Sequence, residues 1–522
     1  MLVVGLDSAD ADLIERWCDA GHLPALAALR AQGTWRRIGT TAEVMHVSAW
    51  PSLYTGATPG RHGLYHAYQA RAGEQEVHRT RAGECALPPF WELLDDAGRR
   101  CVVFDAFMSA PLEDFGGLQI LEYGTWTWFD RPGARPPELW KELAARFGPY
   151  PAPEHTQVLG VPEPRRFRRR LLDGARVKGE ATRWLMRARP WDLLFVTFGE
   201  AHAAGHYLWH LADADYPTHP AGGVAGLEHA LRDVYQAIDA ALGAIVAELD
   251  DDVTLVVTAS DGMGPNYTGC HLVPEALHRL DLYHGAGVGR PAPGAAAAGA
   301  RPRRSVAARA RAMVPAGLRR AVSRCLPPAV QHRLTMKWAN ADVDWERTRA
   351  YALPNANEAY LRLNLAGREP RGLVAAGAAY DELVVELEAR MGELVVPSSG
   401  ARAARDVIRV DERFPGPRRG DLPDLVVTWS PEARVLDRLE SPACGAIEGA
   451  ACHATAPYYT GNHRPAAFAL VRGPRARAGV HLDAGHVIDL APTLLSMLGV
   501  EPAAHMQGEI WGELSEAAGP AR

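Results

Sequence analysis

The sequence predicts an α/β protein with a mostly parallel central sheet flanked by helices. Short apolar runs rich in β-branched residues indicate strands buried on both faces, at residues 2–6, 101–104, 193–198, 254–258, 425–429 and 467–471. Stretches with helical periodicity lie between them, at residues 10–32, 175–188, 226–249 and 380–391. This alternation favours parallel strands joined by helices. Ligands of such sheets bind beyond the carboxyl ends of the strands, so we expect the chemistry there.

Length and composition fit a large folded enzyme better than a nucleic-acid-binding protein. The chain has 522 residues, 47% of them hydrophobic and 23% charged, and we predict one catalytic domain over residues 1–522. A net charge of −6 argues against nucleic acid as a partner. Seven cysteines without a C-x-x-C pair favour reduced thiols and a cytoplasmic protein. The apolar run at 2–6 is too short for a signal peptide, and no run is long enough to span a membrane.

Two segments are predicted to be insertions. Residues 125–190 are rich in Pro, Arg and Trp and are predicted to form part of a cap. Residues 284–335 begin with a Gly- and Pro-rich run and continue into Ala- and Arg-rich tracts, which predicts a flexible or helical insertion. The arginines allow two interpretations, a solvated linker or a basic arm for an acidic partner, and the composition favours the linker.

Five polar residues lie where a parallel sheet places ligands. Asp7 directly follows the strand at 2–6, and Asp261 follows the strand at 254–258. His202 and His206 follow the strand at 193–198, and their spacing puts both imidazoles on one face of a helix, which suits one metal ion. His463 precedes the strand at 467–471. Each of these histidines alone is equally well explained as a hydrogen-bonded core residue, but the five residues together indicate a metal site.

Four regions of the sequence, in a fixed order, carry a resemblance to a known family. They are V-V-G-L-D-S-A at 3–9 with G-H-L-P-A-L at 21–26, S-A-W-P-S-L-Y-T-G-A-T-P-G-R-H-G at 48–63, L-R-L-N-L-A-G-R-E-P-R-G at 361–372, and D-L-A-P-T-L-L-S-M-L-G at 489–499. The chain resembles the type I phosphodiesterase/nucleotide pyrophosphatase family of the alkaline phosphatase superfamily. The resemblance covers nearly the whole length and implies an alkaline phosphatase-like fold with cap insertions.

The resemblance also implies a centre for two divalent ions. In the family, one ion is bound by an Asp and two His, and the other by two Asp, a His and a Thr or Ser nucleophile. Four positions of this chain match: Asp7, His206, Asp261 and His463. Three positions depart from the family. His46 stands where the family has its nucleophile, His202 where it has an aspartate, and Gly262 where it has a histidine.

These departures change the expected ligand sets. The first ion is expected to be bound by three neutral imidazoles, those of His202, His206 and His463. The second ion is expected to be bound by one imidazole and two carboxylates, those of His46, Asp7 and Asp261. Zinc is the expected metal, with iron or manganese as alternatives, and the sequence leaves open whether one or two ions bind.

Two residues are catalytic candidates. His46 is interpreted as a metal ligand, with a metal-bound hydroxide as the nucleophile, and the alternative is that His46 itself attacks phosphorus and forms a phosphohistidine. Glu200 lies two residues before His202 and is a candidate general base, or a hydrogen-bonding partner of a metal-bound imidazole.

Together these residues predict a metal-dependent hydrolase of phosphodiester, pyrophosphate or related ester bonds that acts on a small anionic molecule. Two alternatives stay open: a non-hydrolytic iron or manganese enzyme with redox or lyase chemistry, and a non-catalytic binding protein on the same fold. Neither nucleic acid nor a membrane is expected as a partner. The sequence leaves the oligomeric state open, including a homo-oligomer.

Overall fold

The computed structural model describes residues 1–80, 83–124, 132–152, 163–285, 343–449 and 459–515. The chain divides into two compact units. Unit 1 comprises Met1–Tyr65, Arg81–Asn266 and Pro457–Arg522, and unit 2 comprises His66–Thr80 and Tyr267–Ala456. All six predicted metal ligands belong to unit 1, so each unit can be described by itself.

Unit 1 is built on a nine-stranded sheet with the strand order β19-β2-β18-β9-β1-β8-β5-β6-β7. Its five central strands, β9, β1, β8, β5 and β6, are parallel to one another. This confirms the predicted α/β class. The strands are β1 (Leu2–Leu6), β2 (Thr34–Gly39), β5 (Cys101–Phe104), β6 (Leu118–Leu121), β7 (Gly133–Arg135), β8 (Leu193–Phe198), β9 (Leu255–Ala259), β18 (Ala467–Arg472) and β19 (Val480–His486). A separate antiparallel pair is formed by β10 (Gly262–Pro265) and β17 (Gly461–Arg464).

Helices connect these strands and cover both faces of the sheet. In the described part of unit 1 they are α1 (Ala11–Asp19), α2 (Pro24–Gln32), α3 (Ala49–Thr55), α4 (Pro59–His62), α5 (Phe90–Asp96), α6 (Pro137–Phe147), α7 (Pro164–Ala188), α8 (Glu200–Ala212), α9 (Ala230–Val246), α13 (Leu490–Met497) and α14 (Gly512–Ser515). None of the helices that the structure describes is long and apolar enough to cross a membrane.

Alternate residues of the central strands pack against different helices, as the pleat of a strand requires. Leu2, Val4 and Leu6 of β1 join an apolar cluster with residues of α1, α2, α7 and α9. On the other face, Phe195 of β8 packs against aromatic rings of α3 and α5 at centroid distances of 5.4 to 6.5 Å, those of Trp50, Phe90 and Trp91. Burying each such side chain contributes about 1.5–3 kcal/mol. Packing on both faces thus fixes the strands whose ends carry the predicted ligands.

Unit 2 contains a four-stranded antiparallel sheet with the order β11-β12-β14-β13. The strands are β11 (Ala350–Leu353), β12 (Ala359–Leu363), β13 (Ala404–Arg409) and β14 (Leu425–Trp429). Two short pairs are β3 (Tyr68–Gln69) with β4 (His78–Arg79) and β15 (Arg438–Ser441) with β16 (Gly445–Glu448). Its described helices are α10 (Val273–Arg279), α11 (Ala378–Gly392) and α12 (Val410–Arg413).

The family-like segment 361–372 has a structural role in unit 2. Arg362 and Glu369 form a fully buried ion pair at 2.8 Å. Arg368 donates to both carboxylate oxygens of Asp424, at 2.7 Å each. Burial acts to raise the pKa of Asp424, but the hydrogen bonds from Arg368 more than offset it and hold the pKa at about 2. The charged residues of this segment therefore stabilise the small sheet.

Most predicted elements are confirmed, with shifts of their ends. The strands at 2–6, 101–104 and 193–198 have the predicted bounds, and the strand predicted at 254–258 is moved by one residue. The helix predicted at 10–32 is two helices, because Gly21 adopts φ 76° and Pro24 starts α2. The run at 425–429 is a strand, but its assignment to the central sheet was wrong. A continuous apolar run indicates burial on both faces, which the antiparallel sheet of unit 2 also provides.

The predicted insertions are described only in part. Residues 125–131 and 153–162 of the predicted cap lie outside the described residues, and the remainder includes α6 and α7. Helix α7 packs against α9 and contributes to the core of unit 1. The segment 284–335 lies outside the described residues apart from His284 and Gly285. Both the cap and the second insertion stay predictions.

Candidate metal centre

Unit 1 brings the predicted ligands together at the carboxyl edge of its sheet. Asp7 follows β1 and Asp261 follows β9, and these strands are parallel neighbours. His202 and His206 lie one turn apart on α8, which begins directly after β8. His463 lies in β17, opposite Met263 of β10. These residues therefore lie close together in the structure, and their role as metal ligands stays a prediction.

Three imidazoles form the centre of the cluster. His202, His206 and His463 each offer one ring nitrogen, and these nitrogens all lie within 4.8 Å of one another. Nε2 of His202 and Nε2 of His206 are 2.9 Å apart. His202 and His206 are buried, and His463 is nearly so. Among the residues that the structure describes, this is the one group of three or more His, Cys, Asp or Glu donors close enough to hold a single ion.

The other nitrogen of each imidazole faces a hydrogen-bond acceptor. Nδ1 of His202 is 3.1 Å from Oδ2 of Asp7, and Nδ1 of His463 is 2.7 Å from Oδ2 of Asp261. Nδ1 of His206 is 2.8 Å from the carbonyl oxygen of Gly461. The Gly461 carbonyl and the ionised Asp7 carboxylate can only accept, so these contacts assign a proton to Nδ1 of His206 and of His202. In the neutral forms of these two rings the lone pair lies on Nε2.

This arrangement fits a metal ion. Two Nε2 lone pairs that face each other at 2.9 Å repel unless a cation lies between them. Two imidazoles on one tetrahedral zinc ion place their nitrogens roughly 3.3 Å apart, given Zn–N bonds of about 2.0–2.1 Å. Burial acts to lower the pKa of His202, but the Asp7 carboxylate more than offsets it, so the pKa lies above its usual value. A proton on His202 relieves the same repulsion in the chain without metal.

The two carboxylates differ in their surroundings. Burial acts to raise the pKa of Asp7, but His202 and the indole N–H of Trp50, which donates to Oδ1 at 2.7 Å, bring it below its usual value. Burial, followed by the charge of Asp7, raises the pKa of Asp261 to about 7. Ser8 lies 3.3 Å from Nδ1 of His463, beside the contact with Asp261. The buried carboxylates thus lie directly behind the imidazoles.

His46 and Gly262 are two of the three positions that depart from the family. His46 begins the 3-10 turn His46–Ser48, and its ring stacks on that of His463 with centroids 4.3 Å apart and planes 23° apart. A methyl group on Gly262 would lie 2.8 Å from Cβ of Ala466 and 3.0 Å from Cα of Asp10, and closer still to the Asp10 carboxylate. The space beside Gly262 is therefore filled by Asp10.

Glu200, the second catalytic candidate, is buried at the start of α8. Its carboxyl oxygens have no hydrogen-bond partner on another described residue. Burial raises the pKa of Glu200 to about 8. A largely protonated carboxyl is poorly suited to accept a proton at neutral pH, which weighs against the general-base interpretation.

Sequence reasoning missed several residues that contact the imidazoles. The hydroxyl of Tyr459 is 3.2 Å from Nε2 of His206, and the two rings stack with centroids 4.2 Å apart. Trp50 binds Asp7, and the carbonyl of Gly461 binds His206. Tyr459 and Gly461 shortly precede His463 in the sequence, so proximity in sequence was a usable signal. Trp50 had no such signal, because its contact with Asp7 depends on the packing of α3 on the sheet.

The nine-stranded sheet with helices on both faces places the protein in the alkaline phosphatase-like class of α/β folds. The family model for type I phosphodiesterase/nucleotide pyrophosphatase matches residues 1–458, and the chain belongs to this family. It is thus a phosphoester or pyrophosphate hydrolase of the alkaline phosphatase superfamily. A search of the curated proteins found no match.

Two solved structures illustrate the shared fold. Phosphonoacetate hydrolase from Sinorhizobium meliloti 1021, in complex with phosphonoformate, is 15% identical with a TM-score of 0.51, and the match covers 94% of this chain and 93% of that one. Murine ectonucleotide pyrophosphatase/phosphodiesterase 5, an inactive variant in complex with AMP, is 12% identical with a TM-score of 0.50, and the match covers 99% of both chains. At these identities the likeness establishes the fold and leaves the substrate open.

Proposed function

We propose that the protein is a metal-dependent hydrolase of phosphodiester, pyrophosphate or related ester bonds in small anionic molecules, with its active centre at the His202, His206 and His463 cluster. One observation carries the proposal: a ring nitrogen of each of the three imidazoles lies within 4.8 Å of the other two, while every Nδ1 contacts a carboxylate or carbonyl oxygen. Three neutral imidazoles are a ligand set of catalytic zinc sites, and iron or manganese are the alternatives.

The residues around the cluster supply binding and orientation. When bound, the ion provides a Lewis acid for a phosphoryl oxygen and lowers the pKa of a bound water to about 7. Asp7, Asp261 and the Gly461 carbonyl hold the imidazole rings in one orientation. The Tyr459 hydroxyl, 3.2 Å from Nε2 of His206, lies where it can donate to a substrate oxygen near the cluster.

His46 has two proposed roles in the reaction. As a nucleophile it would form a phosphohistidine, and as a metal ligand or pocket residue it would leave the attack to water. We favour the second route, because the ring of His46 stacks face to face on His463. Quenching the enzyme with substrate under alkaline conditions, followed by mass spectrometry, is expected to find no phosphorylated His46 peptide. A phosphorylated peptide would establish the first route.

The test combines metal content with activity. The untagged full-length chain, purified without chelators, is expected to contain zinc and to hydrolyse bis(4-nitrophenyl) phosphate. His206→Ala should lose the metal and the activity together. His210→Ala is the matched control, because His210 lies one turn further along α8 and contacts Thr460 instead of the cluster. Metal-free protein with no activity would refute the proposal, and bound iron with oxygen consumption would favour the non-hydrolytic alternative.

A further inference from the structure

The contacts divide the residues of the centre into two groups. Three imidazoles have nitrogens that converge, and two carboxylates lie behind these rings. The close group of donors contains nitrogens of His202, His206 and His463 and no oxygen of Asp7 or Asp261. Each carboxylate contacts an Nδ1 atom, Asp7 that of His202 and Asp261 that of His463, on the side of the ring away from Nε2. In metal proteins, a carboxylate in this position fixes the orientation of the ring and raises its basicity as a ligand.

We propose that the centre binds one divalent ion through the three Nε2 atoms, and that Asp7 and Asp261 orient the imidazoles instead of binding a second ion. The inference rests on the proposed metal-dependent function and goes beyond it in the number of ions and in the role of the carboxylates. It differs from the expectation based on the sequence, in which Asp7, Asp261 and His46 bind a second ion.

The carboxylate oxygens already accept hydrogen bonds. Oδ1 of Asp7 accepts from Trp50 at 2.7 Å, and Oδ2 faces His202 at 3.1 Å. Oδ2 of Asp261 faces His463 at 2.7 Å, and Ser260 lies 3.5 Å from Oδ1. An ion that turned either carboxylate towards itself would leave one of these buried donors unpaired. Leaving a buried N–H unpaired costs about 1–3 kcal/mol.

The space next to Asp261 is occupied by a different ion pair. The Asp10 carboxylate fills the position of a side chain on Gly262. It accepts from Nε and Nη2 of Arg464 at 2.5 Å each and from the amide of Leu13 at 3.1 Å. Arg464 is the strand partner of Gly262 in the β10–β17 pair. Arg464 also binds Asp12, and the Asp10–Arg464 pair takes the space that a ligand side chain at position 262 would need.

The stacking of His46 on His463 excludes both rings as ligands of the same ion. The lone pair of an imidazole nitrogen lies in the ring plane, and a bound ion lies near that plane at about 2.0–2.1 Å from the nitrogen. The two rings are 23° from parallel with centroids 4.3 Å apart. An ion in the plane of His463 therefore lies well outside the plane of His46. His46 is therefore not a further ligand of the ion that His463 binds.

The number of bound ions tests the inference without using activity. The full-length chain is loaded with zinc, freed of excess by gel filtration, and measured by elemental analysis, and the affinity is measured by competition with a chromophoric chelator. We expect one equivalent for the unmodified chain and none for His206→Ala. Asp7→Asn and Asp261→Asn should keep one equivalent, with an affinity about 10- to 100-fold weaker, as for other partners of metal-bound histidines.

Asp192→Asn is the control for the loss of a carboxylate, because Asp192 immediately precedes β8 at the opposite edge of the sheet. It should change neither the stoichiometry nor the affinity. Circular dichroism confirms that each variant is folded before its metal content is counted. Two equivalents in the unmodified chain, with one lost in Asp7→Asn or Asp261→Asn, would overturn this inference and leave the proposed function intact. No bound ion at all would overturn both.

Discussion

Restoring the family's histidine at position 262 should damage the protein instead of repairing a metal site. A methyl group on Gly262 would lie 2.8 Å from Cβ of Ala466 and 3.0 Å from Cα of Asp10, whereas carbon atoms make their best contacts at about 3.5–4.0 Å. Both neighbours are fixed to the backbone, so neither can rotate away. Overpacking of this kind costs about 1–3 kcal/mol, and we expect Gly262→Ala to fall in that range.

Gly262→His should cost more, because the imidazole must also displace the Asp10 carboxylate from Arg464. Breaking a buried pair costs about 3–5 kcal/mol, but Arg464 is partly exposed, so we expect an additional loss at or below the lower end of that range. The assay is urea unfolding followed by tryptophan fluorescence. The control is Gly512→Ala in α14, where nothing lies within 4 Å of the new methyl group. A loss below about 0.5 kcal/mol in Gly262→Ala would refute the reasoning.

Three further predictions concern buried groups away from the centre. Nδ1 of His62 accepts from the amide of Leu64, and burial lowers the pKa of His62 to about 3. The free energy of unfolding should therefore fall by up to about 1.4 kcal/mol per pH unit as pH falls from 6.5 towards 3. His62→Gln should flatten this slope in urea unfolding between pH 7 and 5, and equal slopes would contradict it. Lys178→Met leaves the Asp105 carboxylate buried without its cation and should cost about 3–5 kcal/mol, of which Asp105→Asn in the same chain should recover a part. Asp424 has a pKa of about 2 in the folded protein, so it stabilises unit 2 above pH 3.8 and this contribution is lost as pH falls through 2. In Asp424→Asn, the loss of circular dichroism signal between pH 4 and 2 should therefore be smaller than in the unmodified chain.

The fold around the centre could be predicted from the sequence because each central strand carries its own signal. The strands β1, β8 and β9 are apolar on both faces, and a polar residue follows each of them within a few positions. Burial in a parallel sheet requires the first feature, and ligand placement at the carboxyl edge uses the second. The pattern of α8 likewise predicts that His202 and His206 share one face, since a four-residue step is about one helical turn.

The partners of the imidazoles could not be predicted in the same way. The contact of His463 with Asp261 joins residues 202 positions apart and depends on the antiparallel β10–β17 pair. The filled space at Gly262 depends on Asp10 and Arg464, which come from opposite ends of the chain. Neither contact has a local periodicity, so the sequence could not show which imidazole Asp261 contacts or which side chain fills the space beside Gly262.

The number of ions also determines the charge that a substrate meets, which gives a last prediction. One divalent ion with Asp7 and Asp261 ionised sums to about zero, whereas two ions with the same carboxylates sum to about +2. A centre with less positive charge attracts the second negative charge of a phosphate monoester less strongly. We therefore expect kcat/KM to be higher for bis(4-nitrophenyl) phosphate, which carries one charge, than for 4-nitrophenyl phosphate, which carries two above neutral pH. Raising the ionic strength should narrow this preference little, because the charges concerned are buried. A higher kcat/KM for the monoester would contradict the charge argument and, with it, the single-ion centre.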